Sequence, residues 1–172
     1  MIVDSSCLII FAKLNRINIL LRLFGRIEIA GEVHKEAILE GLENKFEDSL
    51  ILKNHLEKQQ ITVIELTKKY LELANKIQNL NNIGVGEAQT IALAKQLNKK
   101  ELIIDESLAR ETAKSLDLKP IGSLRVLILA YQKNLLSEKE VKEAVNKMIK
   151  LNFRISAFTL IRFWELFEKL KK

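Results

Sequence analysis

Leu102-Ile103-Ile104-Asp105-Glu106 decides the fold. Three large apolar residues, two of them β-branched, run straight into two acids, and a helical pattern follows from about Ser107 to Ser115. So short a run, with no polar alternation, reads as a strand buried on both faces of a parallel sheet. Met1-Ile2-Val3-Asp4 repeats the arrangement: a short apolar strand, an acid, then Ser5 or Ser6 capping a helix with Leu8, Ile9, Ala12 and Leu14 on its apolar positions. Further strands are expected at Ile27–Ala30, Ile61–Ile64 and Leu118–Ile121, where Pro120 marks an edge. Helical patterns cover about 17–24, 32–42, 44–57, 68–80, 87–97, 123–133, 137–151 and 156–169. Strands alternating with helices argue an α/β fold with a parallel, doubly wound sheet.

Such a sheet gathers the carboxyl ends of its strands into one crevice. The acids Asp4, Glu36, Glu87, Asp105 and Glu106 all sit at strand-to-helix junctions or in the helices that follow. Like charges repel strongly in a low-dielectric cleft, so a cation is expected between them. Oxygen donors alone point to a hard divalent ion, Mg²⁺ or Mn²⁺, and to metal-dependent attack on a phosphodiester. Each position has a plainer reading as well. Asp4 is a metal ligand or a helix cap. Glu87 is a ligand or an acid favoured by the first turn of its helix. Glu36 shares its helix with Glu32, Glu40 and Glu43, and spacing does not separate them. Either Asp105 or Glu106 faces the metal. Arg110 clamps a phosphate or pairs with one of those two acids. Ser6 and Ser123 are candidate phosphate contacts, Ser123 alternatively a helix cap.

Other chemistries lack their residues. Gly84-Val85-Gly86 has no preceding strand and no third Gly at Gln89, so it is no dinucleotide fingerprint. Asp4-Ser5-Ser6 lacks the second Asp of a haloacid-dehalogenase-type phosphatase, and no Gly-x-Ser-x-Gly elbow occurs. His34 and His55 have no partners at zinc spacing. Cys7, the only cysteine, excludes an intrachain disulfide and reads as a small core residue.

The chain has 172 residues, 48% of them hydrophobic, which suits one domain with a full core. Lys13, Asn15, Arg16, Asn18 and Arg22 interrupt the apolar stretch from Cys7 to Phe24, so neither a membrane span nor a secretion signal is expected, and a cytoplasmic location follows. The net charge is +6, of which +5 falls between Lys133 and Lys172. A basic tail beside an acidic site suits a nucleic-acid substrate.

The order of these segments is similar to that of the PIN-domain ribonucleases. Val3-Asp4-Ser5-Ser6, Val33-His34-Lys35-Glu36, Gly86-Glu87-Ala88 running on to Ala94, Ile103-Ile104-Asp105-Glu106 with Arg110, and Leu118 to Leu124 arrive in sequence, and they resemble the prokaryotic VapC-like branch. The resemblance implies a three-layer α/β/α fold on a short, mostly parallel sheet of about five strands. It selects Glu36 among its helix's acids, and makes Asp4, Glu36, Glu87 and Asp105, with Glu106 as the alternative last acid, the metal-binding set. It also implies an endoribonuclease leaving 5′-phosphate and 3′-hydroxyl ends, a toxin-like role with a small antitoxin partner, and a homodimer. The chain departs from many of that group at Ile104, where they carry Thr. A non-catalytic module that binds RNA or protein is the alternative.

Residues 1–172 are expected to form one such domain, with 137–172 as a helical extension. In that extension Leu160, Ile161, Trp164 and Phe167 make one apolar stripe, widened by Phe163, Leu166 and Leu170. The stripe serves either internal packing or a partner.

Overall fold

The computed structural model describes residues 1–170. Lys171 and Lys172, counted in the basic tail, lie outside the described residues. The chain forms two compact units, Met1–Gly122 and a second beginning at Ser123, ahead of residue 137 where the helical extension was expected to start.

The first unit carries a five-stranded, all-parallel sheet. Its elements are β1 (Ile2–Val3), α1 (Ser5–Lys13), α2 (Ile17–Phe24), β2 (Ile27–Ala30), α3 (Gly31–His34), a π-helical turn (Lys35–Leu39), α4 (Glu40–Glu43), α5 (Glu47–Glu57), β3 (Ile61–Ile64), α6 (Lys68–Asn81), α7 (Val85–Gln96), β4 (Glu101–Ile103), α8 (Ser107–Ser115) and β5 (Lys119–Ile121). Strand order is β3-β2-β1-β4-β5. The chain winds outward from β1 to β3, then returns through α6 and α7 and winds the other way through β4 and β5. The switch point therefore lies between β1 and β4, and a ligand crevice is expected at their carboxyl ends. The fold is the expected three-layer α/β/α architecture.

The central strands are apolar on both faces because both faces are covered. Ile2, Val3, Ile27, Ile29, Leu102 and Ile103 have no exposed surface. Helix α7 packs against β1, β2 and β4, and also against α3 and α6. Ala88, Ile91, Ala92, Leu93 and Ala94 are all buried there, so α7 is enclosed nearly all round and its small residues permit the close approach.

Only α2, capped by Gly25, stops on a glycine with positive φ among the described residues. Asn15, Lys45, Gln59, Asn82, Asn98, Asp117, Asn134 and Asn152 adopt left-handed backbone, most of them one or two residues past a helix end. Lys45 does this before α5, which explains why α5 begins at Glu47 and not at Asn44 as expected.

The second unit comprises α9 (Ser123–Gln132), α10 (Glu138–Lys150) and α11 (Ala157–Leu170). Ser137 and Glu140 form a reciprocal capping box at the start of α10. Both α10 and α11 pack on α9. The buried line of α11 is Phe163 and Phe167, with Phe167 against Tyr131 at a ring separation of 4.8 Å. The expected stripe divides: Phe167 is buried, Trp164 is only half-buried, and Ile161, at 58% exposure, turns outward with Phe158 at 67%.

Candidate active site

The sheet register places the strand-end acids side by side. Ile2 pairs with Leu102 and Val3 with Ile103, and the Asp4 N–H donates to the Ile103 carbonyl at 2.9 Å. Asp4 and Asp105 thus leave adjacent strands at the switch point.

Asp4, not Ser5 or Ser6, caps α1. Its Oδ2 accepts from the Ser6 N–H at 3.3 Å and from the Ser6 hydroxyl at 2.8 Å. Capping therefore occupies one oxygen only. The other, Oδ1, is buried without a hydrogen-bond partner. Asp4 is 1% exposed, and its carboxyl is pushed up to about 7, first by burial and then by the charges of Glu87 and Glu36, against the opposing Ser6 hydrogen bond. A buried carboxylate oxygen with no donor is costly unless a cation meets it.

Glu36 occupies the π-helical turn, where the Glu40 N–H reaches back five residues to the Lys35 carbonyl. Before the turn the helix packs on α7; after it, on α5. The extra residue lets one continuous segment serve both neighbours, with Glu36 at the hinge of that change. The Glu36 carboxylate lies against Gly86. A Cβ on Gly86 would stand 2.6 Å from Oε2 and 2.8 Å from Oε1, so only glycine admits the carboxylate there.

Glu87, one residue on, sits in the first turn of α7 and accepts from the Gly84 N–H at 2.6 Å. Burial first, then the charges of Glu106 and Glu36, raise its proton affinity. The side chain closes the helix while lying in the fields of other carboxylates.

Asp105 and Glu106 separate in role. Glu106 is exposed and caps α8, accepting from the Ala109 N–H at 2.6 Å and the Ser107 hydroxyl at 3.3 Å. Asp105 is half-buried, and its Oδ2 accepts from the Cys7 thiol at 2.9 Å. Its Oδ1 and the Arg110 guanidinium lie 3.1 and 2.9 Å from where a Gly122 Cβ would stand. Arg110 donates to the Ile104 carbonyl at 3.1 Å. At Ile104, where a Thr was the expectation in similar chains, the side chain is wholly buried and only the backbone reaches the site. Ser6 is committed to Asp4, and Ser123 is buried at the start of α9 in the second unit.

The structure thus couples Asp4, Glu36, Glu87 and Glu106 through their fields, and joins Asp105 to α1 through Cys7. Among the described residues no three His, Cys, Asp or Glu side chains converge tightly enough to cage an ion. Mg²⁺ and Mn²⁺ do not need a protein cage; such ions keep several waters and use one or two carboxylates plus substrate phosphate. The oxygen-only donors, the unpartnered Asp4 Oδ1 and the space left by Gly86 fit such an ion.

Sequence reasoning quoted Gly86 and Gly122 only within longer segments and read Cys7 as a core residue, so it did not foresee their approach to Glu36 and Asp105. For Gly86 the signal was present, since it adjoins Glu87, but its meaning required knowing that Glu36 approaches from another helix.

The sequence model of the PIN-domain family matches residues 1–169. No curated protein matches the chain. No helix among the described residues is long and apolar enough to cross a membrane. With strand-end acids at the switch point of a 3-2-1-4-5 parallel sheet and the match running over nearly its whole length, the chain belongs to the PIN-domain family, whose fold is in general that of a nuclease.

Proposed function

We propose that this protein is an endoribonuclease dependent on Mg²⁺ or Mn²⁺. The observation that carries the reading is Asp4: a buried carboxylate with one oxygen unpartnered, its proton affinity raised by burial and by two neighbouring acids. Asp4 and Asp105 would hold the ion, with Glu36 and Glu87 contributing directly or through water, and Glu106 at the rim. The ion, when bound, supplies positive charge to the scissile phosphate and acidity to a water. The chain's own residues do the rest. Ser6 fixes the Asp4 carboxylate, Gly86 admits Glu36, and Arg110 stands beside Asp105 where a phosphate would approach. Attack by water without a protein nucleophile would leave 5′-phosphate and 3′-hydroxyl ends.

RNA as substrate is supported by the family and by the net charge of +6. A VapC-like toxin role with a small antitoxin, a homodimer and a cytoplasmic location complete the proposal. Exposed Phe158 and Ile161 on α11 offer the dimer or antitoxin an apolar face. One observation favours the second reading, a binding module without catalysis: the acids are not gathered into a ready cage.

Labelled RNA and single-stranded DNA oligonucleotides incubated with Mn²⁺ or EDTA, beside Asp4→Asn, separate the two. The nuclease reading expects RNA cleavage that requires Mn²⁺ and disappears in the variant. Retention of RNA with no cleavage, independent of metal, supports the binding module.

A further inference from the structure

The first turn of α1 carries two consecutive side chains that reach the two strand-end acids. The Ser6 hydroxyl donates to Asp4 at 2.8 Å, and the Cys7 thiol donates to Asp105 Oδ2 at 2.9 Å across 98 residues of sequence. Cys7 has no exposed surface, so as a packing residue it is one small filler among the buried residues of α1. Its bond to Asp105 is a different matter. Asp105 follows β4 in a stretch that is neither strand nor helix, so its side-chain partners set the orientation of its carboxylate, and the Cys7 thiol is one of them. A thiol is a weak donor to a neutral acceptor, but a charged acceptor roughly doubles such a bond. The thiol engages Oδ2 and leaves Oδ1 on the side of Gly122 and Arg110.

We propose that Cys7 is a positioning residue for the metal site: its thiol holds the Asp105 carboxylate in the orientation from which that acid binds the divalent ion. The proposal rests on the metal-dependent reading above and adds to it a residue outside the acidic set. Partners that orient a ligand in this way typically govern about 10- to 100-fold in metal affinity.

The test is calorimetric titration of Mn²⁺ into the full chain, as wild type, Cys7→Ala and Cys7→Ser, with melting curves in EDTA for each. Serine keeps a donor; alanine keeps only the space. Positioning predicts that Cys7→Ala weakens Mn²⁺ binding by about 10-fold and that Cys7→Ser stays within about threefold of wild type. A pure packing role predicts equal Mn²⁺ affinity in all three proteins, with any loss confined to the melts. Equal Mn²⁺ affinity in wild type and Cys7→Ala, or no rescue by Cys7→Ser, overturns the proposal while leaving the metal reading in place. A wild type that takes up no Mn²⁺ overturns both. If Cys7→Ala melts too low to titrate, Cys7→Val fills the site without a donor and is held to the same 10-fold expectation.

Discussion

The two ends of the same sheet treat charge in opposite ways. Near the amino ends of the strands, Glu28 of β2 meets Lys99, ahead of β4, in a direct ion pair. At the carboxyl ends, Asp4 is surrounded by the fields of Glu36 and Glu87, and Glu87 by those of Glu36 and Glu106. One end is neutralised by its own residues. The other accumulates like charge, although a folding chain gains nothing from it. Stability alone would have paired both ends alike, and this asymmetry is what the proposed cation site requires.

The sharpest way to break this comparison is to neutralise one acid. Asp4→Asn should reduce Mn²⁺-dependent RNA cleavage by about 1,000-fold, the several kcal/mol that metal chemistry contributes, as measured by initial rates on a labelled oligonucleotide. The same variant should also lack the metal-dependent rise in melting temperature expected of the wild type. Retained cleavage would move Asp4 from the site to the helix cap.

The metal-free protein should report the same cost through pH. Asp4 has a folded pKa of about 7 against 3.8 for the free group, so between those values the folded state binds a proton that the unfolded state has released. Stability contributed by the protonated form is therefore complete below about pH 4 and lost as pH rises through 7. Urea unfolding in EDTA should show a decline of a few kcal/mol across that window, absent in Asp4→Asn. A flat profile in the wild type would mean that Asp4 is not strained in the apo protein.

Geometry offers a milder perturbation. Gly86→Ala places a Cβ within 2.6 Å of the Glu36 carboxylate, the end of a flexible side chain that swings away with little harm to the fold. Cleavage should fall about 10-fold with melting temperature nearly unchanged, a loss on the scale of disturbing a group that orients a metal ligand. At the opposite end of the sheet, Lys99→Met removes a partly exposed ion pair. It should cost below about 1 kcal/mol of stability and leave cleavage within about twofold. A large loss of activity from Lys99→Met would erase the contrast between the two ends.

Much of this contrast was legible in the sequence. Buried parallel strands announce themselves as unbroken apolar runs, and an acid directly after such a run can only stand at the carboxyl end, which is why Asp4 and Asp105 could be placed without a structure. Glu36 was not separable from Glu32, Glu40 and Glu43 by spacing, and only the resemblance selected it. The π-helical turn that presents it arises from packing on α7 and α5 together, which no local periodicity encodes. The roles of Asp105 and Glu106 were left open because one oxygen here or there decides them: Glu106 is drawn to the Ala109 N–H, Asp105 to Cys7. The outward face of α11 was left open because its apolar residues ring the helix, and helical spacing alone does not say which arc α9 covers.

Pro120 has a consequence for how this protein can associate. In β5, an edge strand, the Lys119 N–H donates to Lys100 and the Ile121 carbonyl accepts from Ile104, so residues 119 and 121 direct their backbone toward β4. The backbone of residue 120 points away from the sheet, and proline has no N–H to offer there. An incoming strand would find no donor on the middle residue of a three-residue edge, so that border cannot template a sixth strand or seed stacking of sheet on sheet. Any second copy or regulatory partner must bind elsewhere or through side chains, where a few substitutions can change who is recognised without disturbing the ladder beneath.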